Sequence, residues 1–371
     1  MRKENWTYRK VKEVCDKASS NIVLNKIENN VGDYALYGAS GFVKGVDFFH
    51  REEPYIGIVK DGSGVGRVDV YPAKTSLVGT MQYILPKKDC LLKYLCYALQ
   101  SLKLADFVTG AAIPHIYFRD YGECVIPIPP LSTQSRIVSE LDLFQSIIDK
   151  QKAQLKELDN LAQAIFYDMF GDPVENEKGW ILKTMEDVCL NIVDCPHSTP
   201  KKSNRITDYP CIRTSELKEG SIYWDSMQYL EEDEYIIRIA RLKPIAGDIV
   251  FGREGTIGDA VILPDGYNFS LGQRTMLMRV DGSSISNIFL QRVILSECVK
   301  KQIRMVNVSS TVPHVNIKDF KRFEIPVPPL ALQQSFAAKI ESIEKQKAAI
   351  SKSLEETQKI FDYTMDKYFG K

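Results

Sequence analysis

Apolar residues recur at steps of three and four along two stretches of the 371-residue chain. In the first, Ile137, Leu141, Phe144, Ile148, Gln151, Leu155, Leu158, Ala162, Ile165 and Met169 alternate steps of four and three over five heptads, with Gln151 the one polar interruption. That period predicts an amphipathic helix over 136–170, roughly 52 Å long at about 1.5 Å per residue. Ser132 or Thr133 is its expected N-cap, and Gly171 followed by Pro173 its stop. The second stretch carries Phe336, Ile340, Ile343, Ile350, Leu354, Phe361 and Tyr368 on the same plan. Each stripe needs a partner, so the two helices are expected to pair as an antiparallel coiled coil.

The rest of the chain shows shorter periods. Residues 54–60, 65–71 and 79–85 read as strands separated by glycine-rich turns, as do 248–251, 259–263 and 274–280. A helix follows each group, over 91–104 and over 287–304. Strands, a helix and a proline-rich step into a long helix make an α+β plan that occurs twice.

The duplication is explicit in the residues. IPHIYFRDYGECVIPIPPLSTQ (113–134) and VPHVNIKDFKRFEIPVPPLALQ (312–333) share the prolines, His115/His314, Asp120/Asp319, Leu131/Leu330 and Gln134/Gln333 at a constant separation of 199. A second match, Trp6-x4-Val11-x-Glu13-Val14-Cys15 against Trp180-x4-Met185-x-Asp187-Val188-Cys189, has a separation of 174. The halves, about 6–171 and 180–371, therefore share their ends and diverge in between. Lys-Gln-Lys recurs at 150–152 and 345–347, a separation of 195, from which the second helix is expected to be four residues short before its middle.

Composition changes this picture in one respect. Lys+Arg and Asp+Glu are both 48, and no block is strongly basic: residues 1–125 carry a net +3 and 172–324 a net −2. Any nucleic-acid face must be local, with cationic help from a partner. The eight cysteines include no C-x-x-C pair, so neither a zinc ribbon nor a disulfide framework is expected. The opening MRKENWTYRK has no apolar signal core and no run reaches membrane-spanning length, which reads as a reduced, cytoplasmic protein without a membrane partner.

Several motifs have a chemical reading beside a plainer one. Gly62-Ser63-Gly64-Val65-Gly66 could be a phosphate loop, but strand-like residues follow it where a helix should open, so a tight turn is expected. Gly252-x-x-Gly255-x-x-Gly258 reads the same way. No G-x-x-x-x-G-K-[ST] and no N-P-P-Y or D-P-P-Y occurs, which argues against a motor and against an adenine methyltransferase. Asp208 with Glu216-x-Lys218 only faintly resembles a nuclease signature, and Cys195-Pro196-His197 offers too few metal ligands. The duplicated His115 and His314 point to structure, a hydrogen bond at the domain–helix junction, more than to acid–base work.

The ordered set resembles the specificity subunit of type I restriction-modification systems. Its carriers are the duplicated P-x-P-P-L-x3-Q, Asp194-Cys-Pro-His-Ser-Thr-Pro200, and Gly247-Asp248-Ile249-Val250 leading to Arg253-x-Gly255-Thr256-Ile257-Gly258. Tyr37-Gly38-Ala39-Ser40-Gly41 with Lys60-Asp61-Gly62 resembles a second variant of the recognition domain. The resemblance implies two target-recognition domains (1–125 and 172–324), each followed by a proline-rich step and long conserved helix (126–171 and 325–371). It implies a non-catalytic chain, each domain reading one half of a bipartite target in double-stranded DNA. Two modification (methyltransferase) subunits would dock on the helices, and restriction (motor-nuclease) subunits would complete the complex. S-adenosylmethionine, ATP and Mg2+ would belong to those partners, with no cofactor or metal in this chain. A stand-alone DNA-acting enzyme and a coiled-coil protein-binding adaptor remain as other readings.

Base and phosphate contacts favour Arg, Lys, Asn, Gln, Ser and Thr in loops. The candidates are Lys44, His50, Arg51, Lys60, Ser63 and Arg67 in the first half. In the second they are Lys201, Lys202, Asn204, Arg205, Arg213, Thr214, Arg253, Gln273 and Arg274. Glu231-Glu232-Asp233-Glu234 is expected to face away from phosphate. The helix-pair and subunit interface is expected at Ile137, Leu141, Phe144, Ile148, Leu155, Leu158, Phe336, Ile340, Ile343, Ile350, Leu354 and Phe361.

Overall fold

A computed structural model of the chain describes residues 6–110, 114–255, 257–307 and 314–370. Ile113, Thr256, Val312 and Pro313 of the motifs above, and residues 1–5 and 371, lie outside them. The first half runs β1 (Thr7–Lys10), α1 (Val11–Val14), β2 (Cys15–Ser19), β3 (Tyr34–Gly38), β4 (Gly41–Val46), β5 (Tyr55–Val59), β6 (Val68–Tyr71), β7 (Ser76–Leu77), β8 (Met81–Pro86), α2 (Leu92–Ser101), α3 (Phe118–Tyr121), β9 (Val125–Ile128) and α4 (Leu131–Phe170). The second runs β10 (Ile181–Thr184), α5 (Met185–Val188), β11 (Cys189–Asp194), β12 (Pro210–Ile212), β13 (Leu217–Lys218), β14 (Ser221–Ile222), β15 (Gln228–Tyr229), α6 (Glu232–Arg238), β16 (Ile249–Gly252), β17 (Ala260–Ile262), β18 (Ser270–Leu271) and β19 (Thr275–Val280). It closes with α7 (Asn287–Leu295), α8 (Glu297–Val306), α9 (Ile317–Lys321), β20 (Glu324–Val327) and α10 (Leu330–Phe369). The chain forms two compact units, 1–153 with 350–371 and 154–349, so each long helix contributes one part to each.

Within each unit the first strand of the domain pairs antiparallel with its last. Thr7 lies opposite Ile128 in β1–β9, and Ile181 opposite Val327 in β10–β20. A four-stranded antiparallel sheet follows, β2-β8-β5-β6 in one unit and β11-β19-β16-β17 in the other. A three-stranded sheet, β4-β3-β7 or β15-β12-β18, lies beside it in order, with one parallel pair in each. The two halves thus share one topology, as their matched ends implied. Where a single helix over 287–304 was expected, Ser296 separates α7 from α8; its hydroxyl accepts from the Cys298 N–H and caps the second.

Both long helices span 40 residues, about 60 Å. They start earlier than the expected Arg136 because the proline step itself opens them. The Pro130 carbonyl accepts from the Thr133 and Gln134 N–H groups at 2.9 and 3.0 Å, so neither Ser132 nor Thr133 is the cap. Proline suits that position because its φ is already helical and it brings no N–H to satisfy. Equal lengths overturn the expected four-residue shortfall: the Lys-Gln-Lys triplets merely sit about one turn out of step along two helices in constant register. Gly171, at φ +74°, ends α4 in the left-handed conformation a side chain would resist.

In each unit the parts of the long helices run antiparallel, since rising numbers on one meet falling numbers on the other. In the first unit Tyr368 Oη donates to Glu140 at 2.6 Å and Gln151 Nε2 to Ser353 at 2.8 Å. In the second, Phe336 meets Phe170 at 5.2 Å between ring centroids, and Lys347 pairs with Asp159 at 2.7 Å. Ile137, Leu141 and Ile148 in the first unit, and Phe336, Ile340 and Ile343 in the second, are buried as the heptads required. Phe144, Leu155, Leu158, Ile350, Leu354 and Phe361 are only half-buried. The seam also turns near its end: after Ala162, which is buried as expected, Phe166 and Phe170 are buried where Ile165 and Met169 were expected. The reason is α7, whose Phe289 stacks on Phe166 at 6.0 Å and meets Phe170 edge-on at 4.7 Å, drawing the apolar face round. In the other unit α2 does the same, with Tyr94 at 5.3 Å from Phe369.

The duplicated glutamine of the proline step fixes this junction. Gln134 donates to the Asp89 and Pro129 carbonyls, both at 2.9 Å, and accepts from the Leu91 N–H at 2.8 Å. Gln333 repeats the pattern on Ser284 O, Pro328 O and Ser286 N. Both side chains are fully buried. Gln134→Ala or Gln333→Ala strands an N–H and two carbonyls away from water, and should destabilise the chain by about 2–4 kcal/mol. Urea denaturation of the two variants beside Gln154→Ala, an exposed helix position, checks this; equal midpoints would contradict it.

Candidate nucleic-acid interface

At one end of the four-stranded sheet in the second unit, β11 runs out into Asp194-Cys-Pro-His-Ser-Thr-Pro200. That loop is held by arginines. Arg238, whose side chain is fully buried, donates to Leu271 O, Pro196 O and Ser198 O at 2.8, 3.2 and 3.2 Å and pairs with Glu234 at 3.2 Å. Arg241 donates to the carbonyls of Asp194 and Cys195, and Gln273 Nε2 to His197 O at 2.8 Å. Asp194 Oδ2 accepts from Arg253 at 2.8 Å and lies 3.3 Å from His197 Nε2. The other oxygen of Asp194 and Nε of Arg253 are buried without partners among the described residues. Next to them Arg274, at φ +66° and 63% exposed, pairs with Glu254.

The turn after the third strand of each four-stranded sheet is built alike in both halves. Lys60-Asp61-Gly62 follows β5 and Arg253-Glu254-Gly255 follows β16, each glycine at positive φ (79° and 75°). The Lys60 N–H donates to Thr80 O at 3.0 Å and that of Arg253 to Arg274 O at 2.8 Å. Each cation's own carbonyl accepts from the residue after a duplicated histidine, Ile116 or Val315, at 3.0 Å. Asp61 and His115 are bridged, as are Glu254 and His314, and the Asp61 carboxylate accepts from His115 Nδ1. The histidines therefore serve these turns and not the domain–helix junction. Gly62–Gly66 is a tight turn between β5 and β6, with Val65 N–H donating to Gly62 O at 3.2 Å. The equivalence escaped the sequence because the turns are 193 residues apart, matching neither end of the repeat. Only the alternation of a cation, an acid and a glycine signals it.

The structure separates the expected DNA-contacting residues into two kinds. Lys201, Lys202, Asn204, Ser63 and Arg67 are exposed in loops, and Arg274 reaches solvent beside Glu254. Thr214 opens a single turn near Gly255, so it lies with Arg253 and Arg274. Others have partners inside the fold. Arg213 forks onto buried Glu216 at 2.6 and 3.2 Å and onto Ser226 O; Arg253 is 10% exposed and bound to Asp194. Lys44 donates to the carbonyls of Ile27 and Glu28, and Gln273 supports the His197 loop. Lys60 sits 3.2 Å from Asp61. The Arg51 guanidinium lies over the Tyr83 ring at 4.5 Å, and His50 faces the Tyr83 hydroxyl at 3.4 Å. Burial, and then Arg51, hold His50 below the usual histidine range, so it brings no positive charge at neutral pH. Of the acidic run, Glu231 accepts from Ser203 Oγ and from Arg205 at 2.8 and 3.0 Å, which places its carboxylate beside the basic segment.

Burial pushes the thiols of Cys15, Cys90, Cys96 and Cys189 up to about 12. Among the described residues no three His, Cys, Asp or Glu side chains are grouped to hold an ion.

Comparison with known proteins bears on the same features. The profile of the family described as the type I restriction modification DNA specificity domain matches residues 3–160 and again 177–359. The chain is similar to the type I restriction enzyme MjaVIII specificity subunit of Methanocaldococcus jannaschii, at 24% identity over 76% of this chain and 71% of that one. The MjaIX specificity subunit of the same organism is 22% identical over 70% of this chain and 64% of its own length. Among solved structures, the type I restriction-modification S subunit from M. genitalium superposes with a TM-score of 0.67 at 16% identity, covering 98% of this chain and 96% of the other.

The arginine-braced loop makes a direct expectation. Arg238→Met removes a buried guanidinium, leaves Glu234 unpaired and frees three carbonyls, and should destabilise the chain by about 3–5 kcal/mol. Arg67→Ala, at an exposed turn, should change stability by less than about 0.5 kcal/mol. Thermal unfolding of the two variants in parallel checks the contrast, and similar shifts would contradict it.

Proposed function

The chain belongs to the type I restriction modification DNA specificity family and is a specificity subunit of that kind, and from this premise we propose how its parts divide the work. Each recognition domain reads one half of a bipartite target in double-stranded DNA, and the chain itself transfers no methyl group and cuts no strand. Two modification subunits dock on the long helices, restriction subunits join that complex, and S-adenosylmethionine, ATP and Mg2+ are bound by those partners. The observation that carries the reading is one frame built twice, with the same sheets and clamps and with different loops at the same end of each sheet. Two copies of one scaffold carrying dissimilar surfaces suit two different half-targets.

The helices support their part of the proposal. Beyond the buried seam, Leu143, Ile147, Ile360 and Tyr363 in the first unit are exposed apolar side chains on helix surfaces, as are Leu161 and Tyr167 in the second. Apolar positions in excess of one helix pair's needs fit the docking of further subunits. The zero net charge fits a chain that binds DNA as one part of a larger complex. No helix among the described residues is long and apolar enough to cross a membrane, and the place of action on this reading is the cytoplasm. Membership of this family favours neither a stand-alone enzyme nor a plain adaptor.

Two measurements test the proposal. The purified chain mixed with S-adenosylmethionine and duplex DNA should transfer no methyl group, whereas the complex with modification subunits should methylate adenines at a bipartite sequence; transfer by the chain alone would refute it. Exchange of residues 180–320 for another recognition domain should change one half of the methylated target and keep the other. A swap that altered both halves together would show that the domains do not read independently.

A further inference from the structure

The two three-stranded sheets differ at one connection. In the first domain β3 passes to β4 through Ala39 and Ser40, whereas in the second β12 passes to β15 through residues 213–227. β3 and β12 are equivalent, since each lies between its sheet's other two strands and pairs parallel on one side and antiparallel on the other. The longer connection is braced by side chains. Arg213 holds it at Glu216 and Ser226, the Lys218 ammonium lies 3.4 Å from the centre of the Tyr223 ring, and the Trp224 ring packs at a tilt against Tyr267 at 4.8 Å and Phe269 at 5.9 Å.

This connection forms one wall of an open groove of about 400 Å³, and the exposed segment 202–206 forms the other. Facing the groove are Lys202, Asn204, Ile206, Trp224, Asp225 and Gln228. The amides of Asn204 and Gln228 have no side-chain partner among the described residues, and Ile206 is 81% exposed. Arg205 also lines it, but its charge is answered by Glu231, and the lining holds one carboxylate, Asp225, beside the one remaining cation, Lys202. A phosphate site needs uncompensated cations. A near-neutral surface with two free amides, a carboxylate and apolar groups instead matches what base edges present in the major groove: an amide for the adenine edge, a carboxylate for the cytosine amino group, an apolar contact for the thymine methyl.

We propose that this groove is the base-reading surface of the second recognition domain, with Asn204 and Gln228 as specificity-determining side chains on base edges and Trp224 as their support. The inference rests on the DNA-specificity reading above. It assigns sequence discrimination to the 202–206 and 213–228 walls, and leaves to the turns common to both domains the contacts that two different half-targets share. The first domain, with two residues where the second has fifteen, must read its half-target through other loops.

The test uses the complex of the full chain with its modification subunits. Methylated adenines are mapped for the wild type, Asn204→Ala and Gln228→Ala, and binding to duplexes carrying the mapped target is followed against salt. The expected result is a loss of about tenfold or more in discrimination at one or two adjacent positions of one half-target. The other half and the slope of affinity against salt should be unchanged. Base preferences identical to wild type in both variants would overturn the inference, as would changes in the other half-target. A uniform loss of affinity with a shallower salt slope would also overturn it, by making the segment a phosphate contact. Asn204 is exposed and lies outside any strand, so it carries the test even where Gln228→Ala impairs assembly. A wild-type complex without sequence preference would instead refute the reading on which the inference stands; a selective wild type with unaltered variants sinks this inference alone.

Discussion

The structure hangs on a buried side-chain amide used twice. Gln134 and Gln333 each join three things: the carbonyl of a proline step, the loop before a domain helix, and the first turn of a long helix. A long amphipathic helix by itself has freedom to slide and rotate about its axis, because its apolar stripe is nearly uniform along its length. The three bonds of the clamp remove that freedom at the first turn. They fix where α2 or α7 lies against the helix pair, and the aromatic contacts of Tyr94 or Phe289 then complete the core. The strands that run into the proline steps, β9 and β20, pair in turn with the first strand of each domain. Alternatives to the clamp are costly, because a buried N–H without an acceptor is worth about 1–3 kcal/mol against the fold.

The glutamine was visible in the sequence as an identity, but its role was not. Its partners outside the proline step lie 43 to 49 residues earlier, and no local period links them. The long helices and the duplication were legible because their signals are periodic or repeated, and the strand positions because short apolar runs sat between glycines. Helix starts were misplaced because a proline carbonyl does the capping usually sought in a serine or threonine. The seam's turn toward Phe166 and Phe170 was hidden for a related reason: a heptad describes a two-helix contact, and here a third helix competes for the same face. In the interface, composition marked the basic segments correctly as loops yet could not separate free cations from spent ones. Asp194 is 59 residues from Arg253, and the Ser198 carbonyl 40 from Arg238.

That separation explains how a chain with no net charge can carry a DNA-reading surface. Much of its arginine is internal. Arg213, Arg238, Arg253 and Arg279 are paired with Glu216, Glu234, Asp194 and Asp248. Arginine's planar fork suits this work, since one guanidinium can hold a carboxylate and several loop carbonyls together. These pairs add nothing to the charge a duplex would feel, but they stiffen loops that bear exposed amides and aromatic rings. Rigid loops lose less conformational entropy on binding, so a modest surface can still discriminate. The electrostatic attraction to phosphate must come largely from elsewhere in an assembly.

The duplication sharpens this division of labour. An element found in both domains cannot by itself distinguish two half-targets, however close to the DNA it lies. The turns at Lys60-Asp61-Gly62 and Arg253-Glu254-Gly255, each tied to a duplicated histidine, belong to that shared class. They keep one end of each sheet in a single conformation while the loops around it diverge. Discrimination has to reside in what differs, and the largest such difference is the connection from β12 to β15, which has no counterpart between β3 and β4. Selection can then exchange or lengthen that connection without disturbing the glutamine clamp, the paired first and last strands, or the helix seam, because none of their hydrogen bonds passes through it.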